Sequence, residues 1–146
     1  MQPPRPSTLI AELSYQCPLH CPYCSNPLHI ADYREELETE HWIRTFAQAR
    51  RLGVIQLALT GGEPMLRRDL VALCAGARDA GLYSSLITAG TLFTRDRAQA
   101  LKTAGLDHVQ ISIQADEAAV SDEARRYCAF TAKPQPSRAG ARGRTL

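Results

Sequence analysis

Short apolar runs alternate with amphipathic stretches over residues 9–113, and the alternation sets the expected elements. Leu9-Ile10-Ala11-Glu12-Leu13 is mostly apolar and ends at Ser14-Tyr15, which predicts a first buried strand. An irregular segment follows, with Pro27 and the charged run from Asp32 to Glu40. Thr39 is the expected N-cap of a helix whose apolar face is Trp42, Phe46 and Ala49, spaced i, i+4, i+7, and Gly53 closes it. Val54-Ile55-Gln56-Leu57-Ala58-Leu59 predicts a second strand, with Thr60-Gly61-Gly62-Glu63-Pro64 as the loop leaving it. The unit then repeats. Leu70, Leu73, Cys74 and Ala77 form a helical stripe closed near Gly81, and the strand Tyr83-Ser84-Ser85-Leu86-Ile87 and the turn Thr88-Ala89-Gly90 follow. Thr94 is placed to cap a helix containing Ala98 and Leu101, closed near Gly105, before a fourth strand from His108 to Ile113. Regular strand–helix alternation implies right-handed crossovers, a parallel sheet and an α/β fold.

Composition changes this picture mainly at the C-terminal end. The 146 residues suffice for one ordinary core, and no apolar run approaches the roughly 18 residues of a membrane span. The Pro-rich start, Met1 to Thr8, lacks the apolar centre of a signal peptide, so a cytoplasmic location is expected. Six of the 17 Lys and Arg residues, and none of the 15 Asp and Glu, lie from Arg125 onward, leaving the preceding part with net charge −4. From Thr131 the apolar periodicity is gone. Residues 116–146 are expected to be a divergent, disordered basic tail, with residues 1–7 a flexible start. Such an acid-free Pro/Arg/Gly composition fits translation out of frame from GC-rich DNA. The tail lacks aromatic interleaving, which argues against a nucleic-acid partner.

Five cysteines occur, three of them inside Cys17-Pro18-Leu19-His20-Cys21-Pro22-Tyr23-Cys24. An odd, clustered set points to metal binding rather than disulfides. Thiolates are the natural ligands of a [4Fe–4S] cluster, and three on one short loop leave one iron open for a non-protein ligand. A closed zinc site needs a fourth ligand, for which His20 and then His29 are nearest. Gly61-Gly62-Glu63-Pro64 lies on the same strand edge as the cysteine loop, the edge at which parallel α/β folds bind ligands. Its glycines permit close backbone approach, and its carboxylate suits an ammonium group.

The C-x3-C-x2-C spacing, aromatic Tyr23 before the third cysteine, and Gly61-Gly62-Glu63-Pro64 one unit later resemble the radical S-adenosylmethionine (SAM) superfamily. The resemblance implies that Cys17, Cys21 and Cys24 hold a [4Fe–4S] cluster whose open iron chelates SAM, cleaved to generate a radical that abstracts hydrogen from substrate. It implies that Gly61, Gly62 and Glu63 contact the methionine amino group and that Tyr23 lies against adenine. Ser112 and Gln114 are further SAM contacts by the same analogy. The run Leu9 to Leu28, with Glu40-His41-Trp42-Ile43, Leu86 to Gly90 and Gly105 to Gln114, is similar to the PqqE-type family of pyrroloquinoline quinone (PQQ) biosynthesis. Members of that family cross-link Glu and Tyr of the precursor peptide PqqA, presented by the chaperone PqqD, with a reductant protein such as flavodoxin. This resemblance spans residues 8–115 and implies a partial (β/α) barrel truncated after about four units. Auxiliary-cluster cysteines of the family have no counterpart here. The alternatives are another radical SAM peptide-maturing or activating enzyme, or a non-catalytic zinc-binding module.

Isolated residues read more plainly. Cys74 sits on an apolar helical stripe as a small core residue, and Trp42 and Phe46 share one core face. His41 and His108 have no partner pattern and are expected at the surface.

Overall fold

The computed structural model describes residues 4–113 apart from 22, 23, 28 and 34, together with 116 and 120. Four parallel strands, β1 (Thr8–Ser14), β2 (Gln56–Gly61), β3 (Tyr83–Thr88) and β4 (His108–Ile111), lie side by side in chain order. Helices α1 (Thr39–Leu52), α2 (Leu70–Asp79) and α3 (Arg95–Ala104) make the crossovers. Consecutive strand order with right-handed crossovers puts all three helices on one face of the sheet. The core lies in that layer: Ala11, Leu13, Leu57, Leu59 and Leu86 from the strands meet Phe46, Leu70, Leu73, Ala77 and Leu101 from the helices. Cys74 is fully buried among them, as its stripe requires.

Element ends differ from the sequence expectation where local hydrogen bonds decide them. Thr39 is not the N-cap of α1. Glu38 holds that position without a side-chain cap bond, and Thr39 is the first helical residue. Its hydroxyl donates instead to Asp69 Oδ2, across to the loop before α2. β2 begins at Gln56 rather than Val54, because the Val54 amide is spent on Ala49 O in closing α1. It also runs on to Gly61, since pairing with β1 continues there. β4 stops at Ile111 because Thr88, its partner, ends β3; the Ser112 amide makes a last bond to Thr88 O at 3.0 Å. The other caps follow the pattern. Thr94 accepts from Arg97 N, and Gly53 and Gly105 close α1 and α3 in the left-handed region.

Phe46 is fully buried, and Trp42 packs against the core with its ring 6.0 Å from that of Phe46. His41 and His108 are exposed. Ser7 O, just before β1, accepts from both Ile55 N and Gln56 N. The expectations for residues 1–3, and for the tail apart from Asp116 and Val120, lie outside the described residues.

Candidate functional site

Both candidate motifs leave the C-terminal ends of adjacent strands, and the backbone fastens them together. The pairing of β1 with β2 slips between Glu12 and Ser14, a bulge that turns the β1 exit toward the β2 loop. Gly62 N then donates to Ser14 O at 2.6 Å, and Glu63 N donates to Gln16 O at 2.7 Å. These bonds reach to within one residue of Cys17. The glycines are required for that approach. Gly61 has φ +126°, and a Cβ on it would stand 2.6 Å from Ser14 O; a Cβ on Gly62 would collide with the Gln16 carbonyl. Their missing side chains thus make room first for the neighbouring chain, a use that the motif alone did not reveal.

Glu63 is fully buried. Its Oε1 accepts from Met65 N at 2.9 Å and from Thr88 Oγ1 at 2.8 Å, and its Oε2 accepts from Ala89 N at 2.8 Å. A buried carboxylate with three donors is a satisfied group that ties the β2 loop to the turn after β3. The sequence presents Thr88-Ala89-Gly90 as a turn, and no signal in it marks Thr88 and Ala89 as partners of Glu63. Ser112, placed by its amide on Thr88 O, sits at the same edge.

Cys17 and Cys21 are half-buried and Cys24 is exposed, all as free thiols. Cys24 N donates to Cys21 O at 3.1 Å, closing a turn between the second and third cysteines. Burial pushes the Cys17 thiol up to about 11, and the charges of Glu63, Cys21 and Cys24 push the same way. The bond from Glu63 N to Gln16 O sets the Gly-Gly-Glu loop beside the first cysteine. Among the described residues no three His, Cys, Asp or Glu side chains are gathered as a site for a single metal ion. The donor set suits an iron–sulfur cluster, because three thiols leave one short loop beside a ligand-binding edge. Tyr23 and Gln114 lie outside the described residues. His20 and His29 are exposed.

A polar junction that the sequence does not announce lies behind the cysteine loop. Arg67, with a side chain only 9% exposed, forms a fork on Asp69 (Nε to Oδ1 2.8 Å, NH2 to Oδ2 2.7 Å). Its NH1 also donates to Leu13 O at 2.8 Å and to Leu37 O at 3.0 Å. Glu36 Oε1 accepts from Ser14 Oγ at 2.9 Å and from Tyr15 N at 2.8 Å, and Oε2 lies 3.7 Å from Arg67. The hydrogen bond from Arg67, helped by that of Thr39, holds the Asp69 carboxyl down at about 2. Nothing in the Arg67-Arg68-Asp69 string announces this, since exposed and buried arginines look alike in sequence.

A family model described as the radical SAM superfamily matches residues 12–139. Among solved structures, Streptococcus suis SuiB bound to precursor peptide SuiA superposes with TM-score 0.70 at 22% identity over 82% of this chain. SuiB bound to S-adenosylmethionine gives 0.69 at 21% identity, also over 82% of this chain. BtrN in an open conformation gives 0.59 at 17% identity over 79%. This chain spans 27% and 28% of the two SuiB chains and 53% of BtrN. At these identities the likeness is one of fold: a parallel sheet alternating with helices, as in the partial barrel.

Proposed function

The chain belongs to the radical SAM superfamily, and from that premise we propose that Cys17, Cys21 and Cys24 hold its cluster and that the 61–63 loop borders bound SAM. The cofactors of the family are a [4Fe–4S] cluster and S-adenosylmethionine. One observation carries the assignment. The cysteine loop and the Gly-Gly-Glu loop are a single unit, joined through Gly62 N to Ser14 O and Glu63 N to Gln16 O at the ligand-binding edge of the sheet. When bound, the two cofactors supply reductive cleavage of SAM and hydrogen-atom abstraction from substrate.

The chain's own residues bind and orient. The three thiols supply the anionic ligands and release their protons on doing so. Gly61 and Gly62 present main chain without side-chain bulk. Glu63, sealed inside, fixes the shape of that loop through Met65, Thr88 and Ala89. Tyr23, Ser112 and Gln114 complete the SAM contacts, toward the adenine and ribose.

The substrate is a peptide, and the reaction is of the PqqE type, joining Glu and Tyr of a PqqA-like precursor in PQQ biosynthesis. A PqqD-like chaperone delivers the peptide, and a flavodoxin-like protein delivers the electron. The peptide class is supported by SuiB, a fold relative bound to a precursor peptide. The narrower assignment rests on the similarity of residues 8–115 to that family. A cytoplasmic setting suits a cluster that needs reduction, and no helix among the described residues is long and apolar enough to cross a membrane.

Anaerobic reconstitution with iron and sulfide tests the reading. The wild-type chain should bind both in cluster proportions and, once reduced, convert SAM to 5′-deoxyadenosine. Replacing all three cysteines by Ala should abolish both. Tightly held zinc without acid-labile sulfide would sink it and leave a metal-binding module.

A further inference from the structure

We propose that Arg67 is a positioning residue for the cysteine segment: one guanidinium, fixed by Asp69, bridges the carbonyl of Leu13 before the cysteines and that of Leu37 after them. The proposal rests on reading Cys17, Cys21 and Cys24 as the cluster ligands. A loop that carries three ligands must return to nearly one geometry, yet among the described residues of 15–38 there is only a single short 3-10 turn, Ile30–Asp32. Those described residues have no strand or α-helix of their own to hold them. Glu63 N on Gln16 O, Asn26 Nδ2 on Gly61 O at 3.4 Å and buried Leu19 hold parts of it from within, and the two ends supply a further restraint.

Both ends converge on the same guanidinium. Before the cysteines, Leu13 O accepts from Arg67 NH1, while Ser14 Oγ and Tyr15 N donate to Glu36 Oε1. After them, Leu37 O accepts from the same NH1, Glu36 Oε2 lies 3.7 Å away, and Thr39 Oγ1 donates to Asp69. Asp69 grips Nε and NH2 in a planar fork, which leaves NH1 free to address the two carbonyls. A buried charged pair adds little stability over apolar residues of similar volume, so stability alone is a poor reason for this arginine. What only the fork provides is direction: two segments far apart in sequence are held to a third, immediately behind the Gly-Gly-Glu-Pro loop. Lysine keeps the charge but cannot occupy Asp69 in two places and reach both carbonyls from a rigid plane.

The test uses the full chain with Arg67→Lys, beside a Leu73→Ala core variant that is destabilised in general but leaves the clamp intact. Hydrogen–deuterium exchange of the cluster-free protein should rise about tenfold at residues 14–16 and 36–38 in Arg67→Lys, with α2 and α3 little changed. Leu73→Ala should reverse the pattern, loosening α2 before those segments. After reconstitution, Arg67→Lys should bind iron but give a broadened electron paramagnetic resonance signal and a shifted reduction midpoint, whereas the folded Leu73→Ala protein keeps the wild-type signal. Exchange that rises evenly over the chain in Arg67→Lys, or not at all, overturns the proposal. If wild type takes up no iron and sulfide, the cluster reading fails, and the cluster-free exchange pattern still decides whether Arg67 clamps the segment.

Discussion

The helix-facing layer of the sheet and the rim at its C-terminal edge are held together by different physics. In the layer, leucines, alanines, Phe46 and Cys74 pack without polar partners, and their contribution scales with buried area rather than with angle. Three of the four buried polar residues identified, Ser14, Glu63 and Thr88, lie at the rim, and each is bonded to another loop. The layer tolerates exchange of one apolar shape for another. The rim depends on donors and acceptors meeting at set distances, where one misplaced atom leaves a buried group unpaired. A fold of this kind separates stability from precision: the layer makes the domain, and the rim makes the site.

Substitutions can break or sharpen that contrast. The largest expected loss is Phe46→Ala, about 4 kcal/mol of unfolding free energy in a denaturant titration, because the ring is fully buried between sheet and helices. The fraction still folded should nevertheless bind iron normally, and loss of iron binding from that folded fraction would erase the distinction. Glu63→Gln comes next, at about 2 kcal/mol, since an amide NH2 must then face a buried donor from Met65, Thr88 or Ala89. Here cluster loading should fall out of proportion to stability, and proportional losses would make Glu63 an ordinary core residue.

The acid sensitivity of the rim is smaller. Asp69 is held at about 2, below its ordinary value of 3.8, so its stabilisation is complete above about pH 4 and is lost as pH falls toward 2. After discounting for solvent screening this amounts to roughly 1 kcal/mol. Unfolding curves of Asp69→Asn should be flatter over that window than those of wild type, and parallel curves would remove the role of the Arg67 pair. The smallest effect leaves stability unchanged. Among the four described cysteines, iodoacetamide should label Cys24 first and Cys74 last, because Cys24 is exposed whereas burial shields Cys74 and pushes its thiol up to about 12. Early labelling of Cys74, followed by mass spectrometry, would show that the layer opens as readily as the rim.

The two regions were also unequally legible. Period alone marks the layer, because Trp42, Phe46 and Ala49, and then Leu70, Leu73, Cys74 and Ala77, carry their burial in their spacing. Strand ends were misplaced by about two residues where a single backbone bond decides them, as at Val54 and Ser112. At the rim, the cysteine spacing and Gly61-Gly62-Glu63-Pro64 were visible as motifs, while their reasons were not. The glycines admit the chain at Ser14 and Gln16, and Glu63 faces Thr88, through contacts between residues distant in sequence. Thr39, expected to cap its own helix, serves Asp69 instead. Arg67 is the extreme case, since its charge reads as surface until its partners are known.

The central claim is that the cysteine loop and the Gly-Gly-Glu loop form one site. The most direct measurement is the electron paramagnetic resonance spectrum of the reduced, reconstituted chain as SAM is added, in wild type and in Gly62→Ala. In wild type the spectrum should shift as SAM is added. In Gly62→Ala, whose new Cβ meets the Gln16 carbonyl, it should fail to shift. A cluster whose spectrum ignores SAM in wild type, or answers it equally in both proteins, would contradict that claim.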